Sequence, residues 1–332
     1  MTKAAWAGID VGAKRLAVAV EDARGARVEF EVDNTPTGHR AIGRALRKAG
    51  RTSQVCLEAT GVYHLDLTYA LHAMTGVVIM VVNPRRAKDF ARATMRRAKT
   101  DRVDARVLLE FCQRMAFQAW APPPPAVRGV QALTRRIQAL ARMRVQEKNR
   151  RHAAAASAGL PAALAAASQA HIAFLEAQIR ELTTAATALV ATAPTLQRQL
   201  EQLQSVPGIA RRSGLRLLGE LAGLPADMTA RQWVAHAGLD PRPCESGTSV
   251  HKSPRISRTG NAQLRGALYM PALVAVRRDP AARAFYDRLQ TRQQKKLQGI
   301  VAVMRKLLHA IYGMFRHDQT YDASKCYAPA AA

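Results

Sequence analysis

Lys99-Thr100-Asp101-Arg102-Val103-Asp104-Ala105 sets two carboxylates three residues apart, a spacing that puts both on one face of a helix. Around them stand Arg85, Arg86, Lys88, Arg92, Arg96, Arg97, Lys99, Arg102 and Arg106, opposed between Arg85 and Arg106 by Asp89, Asp101 and Asp104. So basic a surface attracts phosphate, which bare carboxylates would repel. The pair makes chemical sense with a divalent cation, Mg²⁺ or Mn²⁺, between carboxylate and phosphate. That is the logic of metal-dependent phosphoryl transfer on nucleic acid.

Two further acids fit the same purpose. Asp10, in Ile9-Asp10-Val11-Gly12, closes an apolar run before a turn; a strand-end acid on a rigid element suits a metal ligand, or it can stabilise the turn by bonding its own backbone. Glu58 follows Gln54-Val55-Cys56-Leu57 and serves either as a ligand or as the acid at a helix start. Asp101 has a plainer role open to it as well, since Thr100 or Asp101 can cap the helix that follows. As a set, Asp10, Glu58, Asp101 and Asp104 meet the need of two-metal chemistry for several carboxylates around ions about 3.5–4 Å apart.

A second constellation lies between Gly238 and Leu268. There Arg242, His251, Lys252, Arg255, Arg258 and Arg265 crowd around Ser246, Ser249, Ser253 and Ser257. Cations that stabilise an alkoxide and a pentacoordinate phosphorus make a serine a nucleophile toward phosphate; the same composition also describes a phosphate-binding loop. Upstream, Leu203 to Ala210 reads as a helix-hairpin-helix, whose Pro207-Gly208 turn would present backbone amides to a DNA phosphate, with Arg211 and Arg212 directly after it. Ala210 stands where a second glycine is common in that motif.

The elements that must carry these groups follow from periodicity. Strands are expected at 4–9, 15–20 and 27–32, a helix at 38–48, a strand at 54–57, a helix at 65–74, a buried strand at 77–82, and helices at 85–96 and 101–115. Three strands, then helix-strand-helix-strand-helix, is the order of an α/β ribonuclease-H-like fold. Pro122 to Pro125 stops the last helix. Beyond it, apolar residues at three- and four-residue steps from Val130 to Leu140, Ile172 to Leu189 and Leu196 to Leu203 mark a coiled coil or helical hairpin. A Gly- and Ser-rich segment from Gly238 to Gly260 leads into a helical close from Asn261 to His317, and the tail is expected to fray.

Bulk composition agrees. Over 332 residues, 50 Lys plus Arg stand against 24 Asp plus Glu, a formal net charge of +26, which calls for a polyanionic partner and salt-sensitive binding. Aromatics are 5%, too few for a base-stacking platform. The cysteines are scattered, as reduced thiols in a cytoplasmic protein would be, and the longest apolar run, Val77 to Val82, is too short to span a bilayer.

Together the stretches GIDVGAKRLAVAV, CLEATGVYH, VVNPRRAKDFARATMRRAKTDRVDA, SVPGIA and the AGLDPRP–ESG–RISRTGNAQLR block resemble the IS110 insertion-sequence transposases, the bridge-RNA-guided DNA recombinases. The resemblance implies a RuvC-like metal domain over 1–120 with an Asp-Glu-Asp-Asp site at Asp10, Glu58, Asp101 and Asp104. It implies a helical coiled-coil linker over 126–203, a mainly α C-terminal transposase domain over 204–318 with a catalytic serine, matched by Ser246, and a tail over 319–332. It also implies donor and target DNA as substrates, a structured non-coding guide RNA that selects both, and a homo-oligomer, dimer or tetramer. Nucleic-acid contacts are expected from Arg85, Arg86, Arg96, Arg97, Lys99, Arg102, Gly208, Arg211, Arg212, Lys252, Arg255 and Arg258.

Three rivals differ in mechanism. A RuvC-like junction endonuclease would use the metal site alone, and a nucleic-acid scaffold would need neither acids nor serine. An actin-like ATPase or sugar kinase would share Gly8-Ile9-Asp10-Val11-Gly12, yet no second Gly-rich phosphate loop accompanies it.

Overall fold

The computed structural model describes residues 4–94, 100–157, 161–246, 250–293 and 295–327, with side chains except at 244–246, 250–254 and 292–293. Arg96, Arg97 and Lys99 lie outside the described residues. The chain divides into two compact units, Met1–Pro122 and Pro123–Ala332.

In the first unit, β1 (Ala5–Val11), β2 (Arg15–Glu21) and β3 (Arg27–Asp33) form an antiparallel meander. A parallel partner for β1 needs a crossover, and α1 (Pro36–Ala49) supplies it before β4 (Ser53–Glu58). Thr35 caps α1 by accepting from Gly38 N–H, and Pro36 opens it. Then follow α2 (Leu65–His72), β5 (Val77–Val82), α3 (Pro84–Ala93) and α4 (Asp101–Arg114). The sheet order is β3-β2-β1-β4-β5, with β4 and β5 parallel to β1. This is the ribonuclease-H-like arrangement expected from the sequence.

The two-residue period of a strand sorts this sheet cleanly. Ala7, Ile9 and Val11 of β1, with Val55 and Leu57 of β4, pack on one face with Ile42, Leu46, Leu67 and Leu71 of α1 and α2. Cys56, Met80 and Val82 pack on the other with Ala87 of α3 and Leu108, Phe111 and Cys112 of α4. Gly8, Asp10 and Glu58 therefore belong to the α3–α4 face.

In the second unit, α5 (Pro125–Ala155) and α6 (Ala162–Ala191) form an antiparallel hairpin. Arg144 and Lys148 reach Glu176, Ser168 donates to Glu147 at 2.7 Å, and Gly129 sits by Leu189, so partners approach the loop together from both sides. Ile137 and Leu140 meet Leu175 and Ile179 in a small core of their own. Toward the other end, Val127, Val130, Ala186 and Val190 enter the main core with α7 (Pro194–Ser205), α8 (Arg211–Leu221), α9 (Ala230–His236), α10 (Ala262–Arg278), α11 (Pro280–Gln293) and α12 (Lys296–His317).

Two sequence expectations change here. The Gly- and Ser-rich segment contains a two-stranded hairpin, β6 (Pro241–Ser246) and β7 (Val250–Ile256). Pro241, Pro243 and Pro254 argue against a central strand, but in a two-stranded ribbon both strands are edges and a missing N–H is tolerated. The segment after Asp318 is anchored: Tyr321 donates to Asp279 at 2.5 Å, its N–H reaches Ser205 Oγ at 2.9 Å, and Tyr327 of the short α13 (Ala323–Tyr327) is buried. The three-residue steps that betray a long helix are absent from so short a segment.

Candidate active site

Gly8 fixes the position of α4 on the sheet. A Cβ built there would lie 2.1 Å from the Leu109 nitrogen and 2.2 Å from the Ala105 carbonyl oxygen, so the helix backbone rests directly on β1. Arg106 pairs with Glu29, and Arg102 Nε donates to Glu31 Oε1 at 2.8 Å, fastening the exposed side of α4 to β3. Thr100 caps the helix by accepting from Val103 N–H. Asp101 and Asp104 are thus held in its first turn, where carboxylates also meet the positive end of the helix dipole.

With α4 so placed, the acids converge. Ile9 pairs with Leu57 across the parallel β1–β4 ladder, and the next step of that register brings Asp10 beside Glu58. Burial, and after it the charges of Asp104, Asp101 and Glu58, push the Asp10 carboxyl up to about 6. Asp10 therefore feels the charge of each of the other three acids. Asp10, Glu58 and Asp104 line a cleft of about 540 Å³, with Thr60, and with Lys88 and Arg92 of α3. Asp101 is exposed beyond that lining.

An all-carboxylate donor set is hard and suits Mg²⁺ or Mn²⁺ over softer metals. Among the described residues no three His, Cys, Asp or Glu side chains stand close enough together to hold a metal ion by themselves. Asp10, Glu58 and Asp104 instead flank a cleft. Mutual repulsion at Asp10 is the feature a divalent cation would relieve.

The basic residues divide. Lys88 and Arg92, one turn apart, face the cleft; their presence in the Arg/Lys run was visible, but which of its members face the acids depends on how α3 rolls against the sheet. Arg86 lies over the Phe111 ring, 5.8 Å from its centroid, Arg102 is engaged with Glu31, and Arg85 lies 3.8 Å from Asp89.

In the second unit, Ser246 ends β6 opposite Val250; its side chain and that of Lys252 are outside those described. The base of this hairpin is tightly held. Ser257 Oγ donates to Asp240 at 2.5 Å, and Arg258, exposed, sits at a φ of 53°, in the left-handed region. Buried Glu220 of α8 takes two bonds from Arg135 of α5, at 2.8 and 2.9 Å, and one from Asn261, at 2.7 Å. Asn261 in turn caps α10. Burial works against the Glu220 charge, but the Arg135 and Asn261 bonds hold its carboxyl below the usual range. This junction was not legible as a site, because its three members lie far apart in the chain.

Val206 to Ala210 does join two helices, α7 and α8, and Gly208 has a φ of 96°. A Cβ on Gly208 would press on the Pro271 carbonyl and Val274 of α10, both at 2.9 Å, so glycine is also a packing requirement there. Arg211 and Arg212 are exposed at the start of α8, and Arg255 is exposed on β7.

The strand order defines a ribonuclease-H-like fold, and Asp10, Glu58 and Asp104 line a cleft in it together with Lys88 and Arg92. Comparison with known proteins names the family. Residues 7–158 match the DEDD transposase model of the IS110 group, and residues 200–287 match the model of the IS116/IS110/IS902 transposase family. A "Pilin gene-inverting protein" of Moraxella bovis is 29% identical over 272 residues, 82% of each chain. An "Insertion element IS110 uncharacterized 43.6 kDa protein" of Streptomyces coelicolor is 31% identical over 36% of this chain and 30% of its own. Thermus-type RuvC, solved as "T. thermophilus RuvC in complex with Holliday junction substrate", aligns with 35% of this chain and 99% of its own at 14% identity, with a TM-score of 0.26 too low to carry weight. The chain belongs to the IS110 family of transposases, enzymes that act on DNA.

Proposed function

We propose that the chain cuts and rejoins DNA strands by combining a divalent-metal site at Asp10, Glu58, Asp101 and Asp104 with Ser246 as nucleophile. The observation that carries the metal half is the convergence of acids from β1, β4 and α4 on one cleft, where burial first, and then the charges of the other acids, raise Asp10 to about 6. Mg²⁺ or Mn²⁺, when bound, supplies positive charge against the scissile phosphate. Lys88 and Arg92 draw that phosphate toward the acids, and the α4–β1 contact at Gly8 keeps the acids from shifting under load.

The serine half rests on the family resemblance and on the cationic surroundings of the hairpin. The Ser246 hydroxyl gives up its proton as its oxygen attacks phosphorus and forms the new ester, and the P–O bond to the broken strand opens, its oxygen taking up a proton and leaving as a hydroxyl. The name of the Moraxella bovis relative supports rearrangement of defined DNA segments over non-specific cutting. A structured guide RNA selecting donor and target DNA, and a homo-oligomer, belong to the same reading, as do phosphate contacts from Arg85, Arg86, Arg211, Arg212, Arg255 and Arg258.

One experiment separates this from metal-only junction cleavage. Incubated with cleavable DNA and Mg²⁺, the wild-type protein is expected to yield a DNA–protein adduct that survives denaturation. Ser246→Ala should lose the adduct and Asp10→Asn should lose cleavage. Cleavage by Ser246→Ala with free strand ends would establish the endonuclease reading instead.

A further inference from the structure

One face of α12 holds a pocket that the metal and serine chemistry does not use. It encloses about 490 Å³, within the range of small-molecule sites, about 300–1,000 Å³. Arg305, His309 and Gly313 follow one another at four-residue steps along it, with Lys306 beside them and Lys325 on the opposite wall.

Three observations point to a ligand. First, among the described residues no carboxylate pairs with Arg305, Lys306 or His309, all of which line the pocket. The acid on the rim, Asp322, is already engaged by Ser324 and by Lys325. Second, the pocket is not merely a charged patch: Phe285 forms an apolar wall, with the Lys306 ammonium 5.6 Å from its ring centroid. Third, Gly313 lies inside a helix, where glycine is weaker than alanine, yet a Cβ there would meet nothing within 4 Å. Position 313 therefore opens onto the pocket, where a larger side chain would enter its space. His309 is consistent with an anion site awaiting its anion, since burial, then the charges of Arg305, Lys306 and Arg231, hold its imidazole below the ordinary range.

We propose that this pocket receives one unpaired nucleotide of a nucleic-acid strand, its base against Phe285 and the Gly313 floor and its phosphate on Arg305, Lys306 and His309. A paired base cannot enter such a recess, so the source is a single-stranded or extruded nucleotide. The far wall is rigid enough to serve: Asp318 is held by Arg198 and Gln202, and Tyr321 by Asp279. The proposal does not depend on the carboxylate site.

Titration of adenosine monophosphate into the full-length protein at physiological salt tests it. Saturable binding is expected, at least tenfold weaker in Gly313→Leu, which fills the floor without altering charge, and at least fivefold weaker in Arg305→Gln. Competition by single-stranded ribo- and deoxyribo-oligonucleotides supports the proposal, and the better competitor identifies the strand as RNA or DNA. Should Gly313→Leu melt below the wild type, Arg305→Gln decides alone. Unaltered nucleotide binding by the folded variants, inorganic phosphate binding as tightly as the nucleotide, or no saturable binding by nucleotide and oligonucleotides alike would overturn it.

Discussion

Asp10 carries the most information of any residue in the first unit. Its native carboxyl is raised, so the folded state holds its proton more tightly than the unfolded chain. The stability this confers is fully present below about pH 4 and is lost as pH rises through about 6. In chelator at pH 7.5, Asp10→Asn should therefore be more stable than wild type, by about 1 kcal/mol once solvent screening of this part-exposed carboxyl is allowed for, with no gain at pH 4; thermal melts at the two pH values check this. Millimolar Mn²⁺ should stabilise the wild type and leave Asp10→Asn nearly unmoved. If the metal shifts both melts equally, the acids are not its ligands. The sequence showed all four acids, because strand ends and a helical i,i+3 pair leave a local signature. It could not show that burial would outrank the neighbouring charges at Asp10, since burial depends on how α3 and α4 close over the sheet.

Among the elements, the α4–β1 contact and the Glu220 junction do the positioning. Gly8→Ala drives a methyl group into the α4 backbone and should cost about 3 kcal/mol or more. Cleavage measured well below the melting temperature should still fall, because the two α4 acids move with the helix; full activity in a folded Gly8→Ala would disconnect α4 from the chemistry. In the second unit, Glu220→Gln leaves Arg135 facing a neutral partner and should cost about 2 kcal/mol, read by denaturant melts. Strand order and helix count in the first unit were legible because alternating and three-to-four spacings are local. The β6–β7 hairpin was not, since its prolines mimic a loop, and the Arg135–Glu220–Asn261 junction joins residues that no short window contains.

For the molecule as a whole, charge governs the encounter with substrate. A net charge of +26 implies that affinity for duplex DNA falls about a thousandfold or more between 50 and 200 mM salt, measurable by anisotropy with a labelled duplex. A nearly flat dependence would mean that the excess cations face one another or the protein's own acids, as Arg102 and Arg106 face β3. The buried free thiols Cys56 and Cys112 add a check on packing: burial pushes the Cys112 thiol up to about 12, so both should resist thiol reagents until the first unit unfolds. Among the described residues no helix is long and apolar enough to cross a membrane.

The contact at Gly8 also limits how this chain can drift. Surface charges, loop lengths and many core side chains can change by small compensated steps. Position 8 has no such freedom, because any side chain there meets the main chain of α4 at Ala105, Leu108 and Leu109. In this chain a replacement at position 8 is therefore expected to displace α4 and the two acids it carries, even with all four acids unchanged.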